Sequence, residues 1–215
     1  MINDATEKRV YQSIDNCIKE HQFDEAREII ESNFDTDTDI EARDKKIEVS
    51  YAEIKYRDKK IRKYFKNTKA KDTKMISKVL ACTGKSSLYM EDYTGINLDD
   101  WYHYAFGKYS TTFCYEKEGT FGGVDGKYEI DFVQADNGIT TVIEEINFVF
   151  ENYYTLEGTY AQKEASCLAV VEDVLGRKYN SATDGNYYTW NYDMMKVDFM
   201  NFDVPTVSFE FNTGE

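Results

Sequence analysis

The 215-residue chain has one proline, two histidines and two tryptophans, and its four cysteines (Cys17, Cys82, Cys114, Cys167) stand far apart. With no C-x-x-C pair, and only His21 and His103 to assist, no usual spacing for a structural zinc site exists. The cysteines read instead as reduced, mostly buried thiols, which fits a reducing compartment or an exported protein that forms no disulfides. No run approaches the ~18 apolar residues of a membrane span. Residues 1–20 carry Asp4, Glu7, Lys8, Arg9 and Asp15 with no apolar stretch, so no signal peptide is expected. The expected compartment is the cytoplasm, with the envelope or the exterior as the alternative if the sequence belongs to a longer chain.

Aromatics are plentiful: 18 Tyr and 13 Phe within a hydrophobic content of 41% are enough for a sizeable core and exclude wholesale disorder. The length fits one domain, or one domain with a helical appendage. The net charge is −14, and it is unevenly spread. Residues 1–52 are net −7, residues 53–85 net +9 and residues 86–215 net −16. Aromatics crowd the last third, and lysine and arginine the middle. These shifts divide the chain into a helical region, 1–72, and an acidic α+β domain, 73–215.

In the first region Val10, Ile14, Cys17 and His21 follow helical spacing, and Ala26, Ile29, Ile30 and Asn33 continue it after a break in which Asp24 can cap. The pair reads as an antiparallel helical hairpin. Thr38 and Glu41 fit a capping box opening a third helix. Its stripe of Ile40, Ile47, Tyr51, Ile54, Ile61 and Phe65 carries it to about residue 66, so this long helix would bear the basic run. Further on, Met75, Ile76, Val79 and Leu80 again read helical.

The period then changes to two. Phe113 and Tyr115 begin a strand, and Tyr128, Ile130 and Phe132 alternate with Glu129 and Asp131. The segment Gly119 to Gly126 reads as the turn between them. Asp136-Asn137-Gly138 reads as a tight hairpin before a strand over 139–150, where Glu144 and Glu145 suggest a bulge or an edge. A helix is expected over Glu157 to Leu175, stopped by Gly176. Three strands follow: Tyr188 to Tyr192, Val197 and Phe199, and Val207 to Phe211 after Pro205. The expected fold class is therefore α+β: an N-terminal helical hairpin and long helix, then an antiparallel sheet in βββαβββ order with one packed helix.

Motifs of catalysis fail on inspection. Gly84-Lys85-Ser86 lacks the glycine a phosphate loop needs, because Val79 stands there, and Gly84 reads as a helix C-cap. Asp35, Asp37 and Asp39 start like a calcium loop, but Ile40 and Lys46 stand where it needs glycine and glutamate. The glycines of 119–126 have no helix N-terminus to aid phosphate binding. Cys114 with His103 is the one thiol–imidazole pair worth testing. Forty acidic residues always supply some carboxylate pair, so abundance identifies no glycosidase. The chain is accordingly read as a non-enzyme, and no cofactor is implied.

The basic run, with Lys59, Lys60, Arg62 and Lys63 at its centre, reads as a solvated face, an anion site or a protein-docking surface. The net −14 disfavours nucleic acid as partner. The acidic domain, with Glu129 and Asp131 as candidate contacts, suits a basic protein bound in a salt-sensitive way. An acidic inhibitor or nucleic-acid mimic is the alternative, and a carbohydrate-binding or envelope module is the third. In the last case Trp190, within the Tyr188-Thr189-Trp190 row, would stack on a sugar if exposed.

Two stretches carry a resemblance. Residues 22–30 (QFDEAREII) resemble a tetratricopeptide-like helical hairpin. Leu175-Gly176-Arg177-Lys178-Tyr179, with Tyr188-Thr189-Trp190 and the terminal strands, resembles small α+β domains of clostridial cell-envelope lipoproteins. That likeness implies a non-catalytic surface module.

Overall fold

The structure is a computed structural model that describes residues 4–106, 112–134 and 141–212. The chain divides into two compact units, Met1–Arg57 and Asp58–Glu215. The division by composition, after residue 72, falls inside the second of these. Among the described residues no helix is long and apolar enough to cross a membrane.

The first unit is helical. α1 (Asp4–Glu20) and α2 (Phe23–Asn33) form the expected hairpin, and most of α3 (Ile40–Ile61) belongs with them. Ile14, Cys17, Phe23, Ala26, Ile30, Ala42 and Val49 close its core. His21 is not on the stripe. Its φ of +64° ends α1, and its ring stands 4.1 Å from Tyr56. Asp24 does not cap α2 but pairs with Arg27 at 2.7 Å. The cap of α3 is Asp39, whose side chain accepts the Ala42 N–H at 3.0 Å, while Thr38 donates to Asp35. Asp37 also donates its N–H to Asp35, so this aspartate-rich stretch satisfies its own turn. Ile40 and Ile47 are exposed, so the α3 stripe is narrower than the sequence pattern suggests.

α3 stops at Ile61 and passes into a 3₁₀ turn, Arg62–Tyr64, short of the expected residue 66. The cause is tertiary. Phe65 turns to extended geometry with its ring 6.2 Å from Phe209, and the Lys66 N–H donates to the Val174 carbonyl at 2.9 Å.

The second unit continues with α4 (Lys71–Ala81) and α5 (Ser87–Thr94). Then come β1 (Tyr102–Phe106), β2 (Thr112–Phe121), β3 (Val124–Gln134), β4 (Thr141–Val149), α6 (Tyr160–Leu175), β5 (Ser181–Thr183), β6 (Tyr187–Asn191), β7 (Met195–Met200) and β8 (Thr206–Phe211). The fold is α+β, as expected, with one antiparallel sheet in the order β1-β2-β3-β4-β8-β7-β6-β5. The strand count differs: among the described residues each run has four strands, not three, because β1 and β5 join it. β5 is Ser-Ala-Thr, with no apolar alternation to reveal it. Two helix-plus-meander halves thus meet at the central β4–β8 pair.

The turn between β2 and β3 is shorter than the glycine-rich segment suggests. Gly122 and Gly123, with φ of +57° and +83°, make it alone, and the strands extend over Gly119 and Gly126, which face each other. Gly126 is required by closeness: a Cβ there would lie 2.3 Å from the Val149 carbonyl oxygen. The Asp136-Asn137-Gly138 hairpin lies outside the described residues. The register shift opposite Asp131 and Phe132, which skips Glu144, is the expected bulge. Gly84 sits beyond the end of α4, its φ +76° and its N–H donated to Ile143, while Cys82 closes the helix. α6 opens on a Thr159–Gln162 capping box and closes on Gly176 at φ +68°.

One sheet face is the core. Trp190, Val197, Phe209, Ile146 and Ile130 stand in one row across β6, β7, β8, β4 and β3, and each is fully buried. Phe121, Phe148, Phe150 and Phe199 fill the space beside them in edge-on and tilted contacts. α4 lies against β4 and β8 with Ile76, Val79 and Leu80 buried, and α6 buries Cys167, Val171, Val174 and Leu175. Burial of this order is worth about 1.5–3 kcal/mol for each large side chain.

Candidate functional site

The opposite face of the same strands is polar. Period-two alternation turns every neighbour of a core residue to this side. One row runs Glu116, Glu129, Asn147, Ser208, Asp198, Thr189 across β2, β3, β4, β8, β7 and β6. The next runs Tyr104, Cys114, Asp131, Glu145, Glu210, Lys196, Asn191 from β1 to β6. Carboxylates dominate these rows, and Lys127 and Lys196 are the lysines that meet them.

Those lysines are heavily engaged. Lys127 lies 2.8 Å from Glu116, 3.2 Å from Glu129 and 3.4 Å from Glu151. Lys196 lies 2.5 Å from Asp198 and 3.6 Å from Glu210. Its hydrogen bond with Asp198 raises the ammonium pKa. Between the lysines stands a neutral-donor network: Asn147 Nδ2 donates to Glu145 at 3.1 Å and to Asp131 at 3.3 Å, and Ser208 Oγ donates to Glu145 at 2.9 Å. Thr189 Oγ1 donates to Asp198 at 2.7 Å. The short side chains are shut from water, Asp198 at 1% and Asp131 at 9% exposure, while Glu210 and Lys196 keep a part-exposed surface.

Asp131 is the perturbed group. Burial pushes its pKa up to about 7, the Glu145 charge across the strand pair adds to this, and a hydrogen bond with the Cys114 thiol opposes it. Burial also pushes the Cys114 thiol up to about 12, with the Asp131 charge adding and a hydrogen bond with Tyr104 opposing. A thiol held protonated in this way is a poor nucleophile at neutral pH. His103 does not assist it. Tyr104 is the residue opposite Cys114, and His103 points to the other face, its ring 5.4 Å from Tyr115. All four cysteines are buried, and among the described residues no group of three His, Cys, Asp or Glu side chains could hold a metal ion.

The expected contact residues fall in three places. Glu129 and Asp131 do share the polar face, but as members of a network, half-buried and buried, and not as the exposed charges the alternation alone suggests. Trp190 belongs to the core face. It is 0% exposed and its indole N–H donates to the Arg177 carbonyl at 3.1 Å, so no sugar can stack on it in this fold. Lys59, Lys60, Arg62 and Lys63 lie at the end of α3 and in the 3₁₀ turn after it, away from the sheet strands in sequence. The three lysines are exposed, but Arg62 is half-buried and pairs with Asp58 at 2.6 Å. Asp58 is itself buried and also accepts from Ser77 at 2.8 Å and Tyr93 at 2.9 Å, so Arg62 belongs to an internal network.

Sequence reasoning missed Glu145, Asn147, Ser208, Asp198 and Glu210 as companions of Asp131. Asn147, Ser208 and Asp198 each stand between two buried apolar residues, a visible signal, but only the β4–β8–β7 order brings them side by side. Comparison with family models, with curated proteins and with solved structures finds no match for this chain.

Proposed function

We propose that the chain is a non-enzymatic protein-recognition module whose second unit presents its acidic sheet face to a basic partner protein. The observation that carries this reading is the run of Glu116, Glu129, Asp131, Glu145, Glu210 and Asp198 across adjoining strands, met by Lys127 and Lys196. A rigid sheet fixes these charges in a plane, and complementary charge so arranged steers association and selects the partner. Because much of the interaction is between part-exposed charges, it weakens with salt, over a screening length of about 10 Å at 0.1 M. An acidic inhibitor covering a basic site is the form of recognition that this charge excess suits. The exposed Lys59, Lys60 and Lys63 offer a second, basic contact for the same partner.

The test is capture from bacterial lysate at low and high salt, quantified by mass spectrometry, with three baits. One is the native chain, and one carries Glu116→Gln, Glu129→Gln and Glu210→Gln. The third is a charge-matched control with Glu157→Gln, Asp184→Asn and Asp203→Asn, all exposed positions away from the two rows. A basic protein retained at low salt by the native and control baits, and lost by the face variant, is the expected result. Equal retention by the face variant, or no basic protein on the native bait, refutes the reading.

A further inference from the structure

The two edges of the sheet are unequal. β5 is only three residues long, Ser181–Thr183, whereas β1 spans Tyr102–Phe106. β1 pairs with β2 in unbroken register, from Tyr102 opposite Glu116 to Phe106 opposite Thr112, so no bulge twists it away. Nor does its sequence, Tyr-His-Tyr-Ala-Phe, contain the lysine, proline or inward charge by which proteins commonly blunt an edge. Tyr102, His103, Tyr104 and Ala105 are all exposed, Tyr102 at 67%. In an antiparallel edge strand alternate N–H and C=O groups point outward, ready to pair with another chain.

We infer that β1 is a strand-addition site that takes an extended basic segment of the partner, with Lys or Arg at alternate positions beside Tyr102 and Tyr104. The inference rests on the acidic-face reading above and adds the form in which the partner binds. An added strand lies ~4.8 Å beyond β1, and its side chains alternate in step with those of β1. Tyr102 and Tyr104 stand on the polar face, opposite Glu116 and Cys114, with ring centroids 6.1 Å apart. Cations two residues apart on the added strand therefore reach the two ring faces within the ~6 Å of a cation–π contact. Glu116 on the next strand and the exposed Asp100 just before β1 supply the attracting field. The intervening side chains of the added segment fall beside His103 and Ala105, where small apolar residues fit. A second copy of this chain could also pair edge to edge, but it would bring a net charge of −14 against −14. Charge complementarity selects the basic segment.

The probe is a fluorescein-labelled peptide of about four Lys-Val repeats, the length of a short strand. Its companion is the same peptide N-methylated at every valine, equal in charge but unable to donate ladder hydrogen bonds. At low salt the parent peptide should bind about tenfold or more tightly than its companion, since several main-chain hydrogen bonds are at stake. Amide exchange over 102–106 should slow only with the parent. Equal binding of the two peptides overturns strand addition. If both then weaken in the Glu116→Gln, Glu129→Gln, Glu210→Gln variant, the acidic-face reading survives it. Binding of neither peptide overturns both. Tyr104→Pro and Ala105→Pro supply the protein side, because their amides point in opposite directions and only one of the substitutions spares the β1–β2 ladder. The variant that keeps the native melting temperature should lose the parent peptide, and undiminished binding by that variant also overturns the inference.

Discussion

Asp131→Asn should make the second unit more stable at pH 8 and leave it unchanged near pH 4. The carboxyl is 9% exposed, and its folded-state pKa is raised to about 7 from 3.8 by burial and by Glu145. A carboxyl that holds its proton more tightly when folded has no effect below about pH 4, where both states are protonated. Between pH 4 and 7 the unfolded chain releases its proton first, so stability falls as pH rises, and above about 7 the loss is complete. At ~1.4 kcal/mol per pH unit the full loss is about 4 kcal/mol. The amide cannot ionise, and its NH₂ can donate to Glu145, so the variant escapes that loss. We expect a gain of roughly 2–4 kcal/mol at pH 8, the lower end allowing for water entering the face. The assay is urea unfolding from pH 4 to 8 followed by tryptophan fluorescence. Both tryptophans, Trp101 and Trp190, lie in the second unit, so the signal excludes the first. Subtracting the two profiles cancels the titrating groups that do not interact with Asp131. A variant that is equally or less stable at pH 8, or a difference that does not grow with pH, refutes the assignment.

Two further substitutions test the packing that holds the polar face flat. Trp190→Ala should cost about 3–5 kcal/mol in urea, since it empties a fully buried site and leaves the Arg177 carbonyl without its donor; a cost under about 1 kcal/mol would show that the ring is not in the core. Gly126→Ala should lower the melting temperature well beyond Gly185→Ala, because a Cβ at 126 would meet the Val149 carbonyl at 2.3 Å while the one at 185 meets open space. The expected costs are about 2–3 kcal/mol against about 1 kcal/mol for the positive φ at Gly185, and equal melting points would remove closeness as the reason for Gly126.

Much of the fold was legible because local pattern and final structure agree. Ile14 and Cys17 on α1, Ala26 and Ile30 on α2, and the alternation Tyr128, Ile130, Phe132 all bury the side their spacing predicts. What misled was competition among equivalent local signals, or capture by distant groups. Thr38 and Asp39 are both good caps, and only the Asp39–Ala42 bond decides between them. The end of α3 is set by Phe209 and Val174, far along the chain, and no helix propensity in the basic run announces it. The candidate site was half legible for the same reason. Glu129 and Asp131 mark a polar face within one strand, whereas Asn147, Ser208 and Asp198 reach them through a β4–β8 pairing that joins the two halves of the chain.

The buried Asp131 also ties stability to recognition. Cys114 and Glu145 face it on the adjoining strands, Tyr104 and Glu210 stand one strand further out in the same row, Glu129 is two residues away on its own strand, and Lys196 is occupied by Asp198 and Glu210. In the unbound protein this setting favours the protonated form. A cationic partner on the face favours the ionised form instead, so the carboxyl's pKa falls on binding. Binding must then release a proton between the lowered value and about 7, and by linkage affinity rises with pH over that interval and levels off above it. Affinity for a basic protein seated on this face should climb several-fold from pH 6 to 8, and in Asp131→Asn that climb should vanish while salt dependence remains. The Asp131→Asn comparison separates this carboxyl from every other charge on the chain, because those charges are the same in both proteins. A pH profile identical in the two proteins would place the proton elsewhere and detach Asp131 from the recognition face.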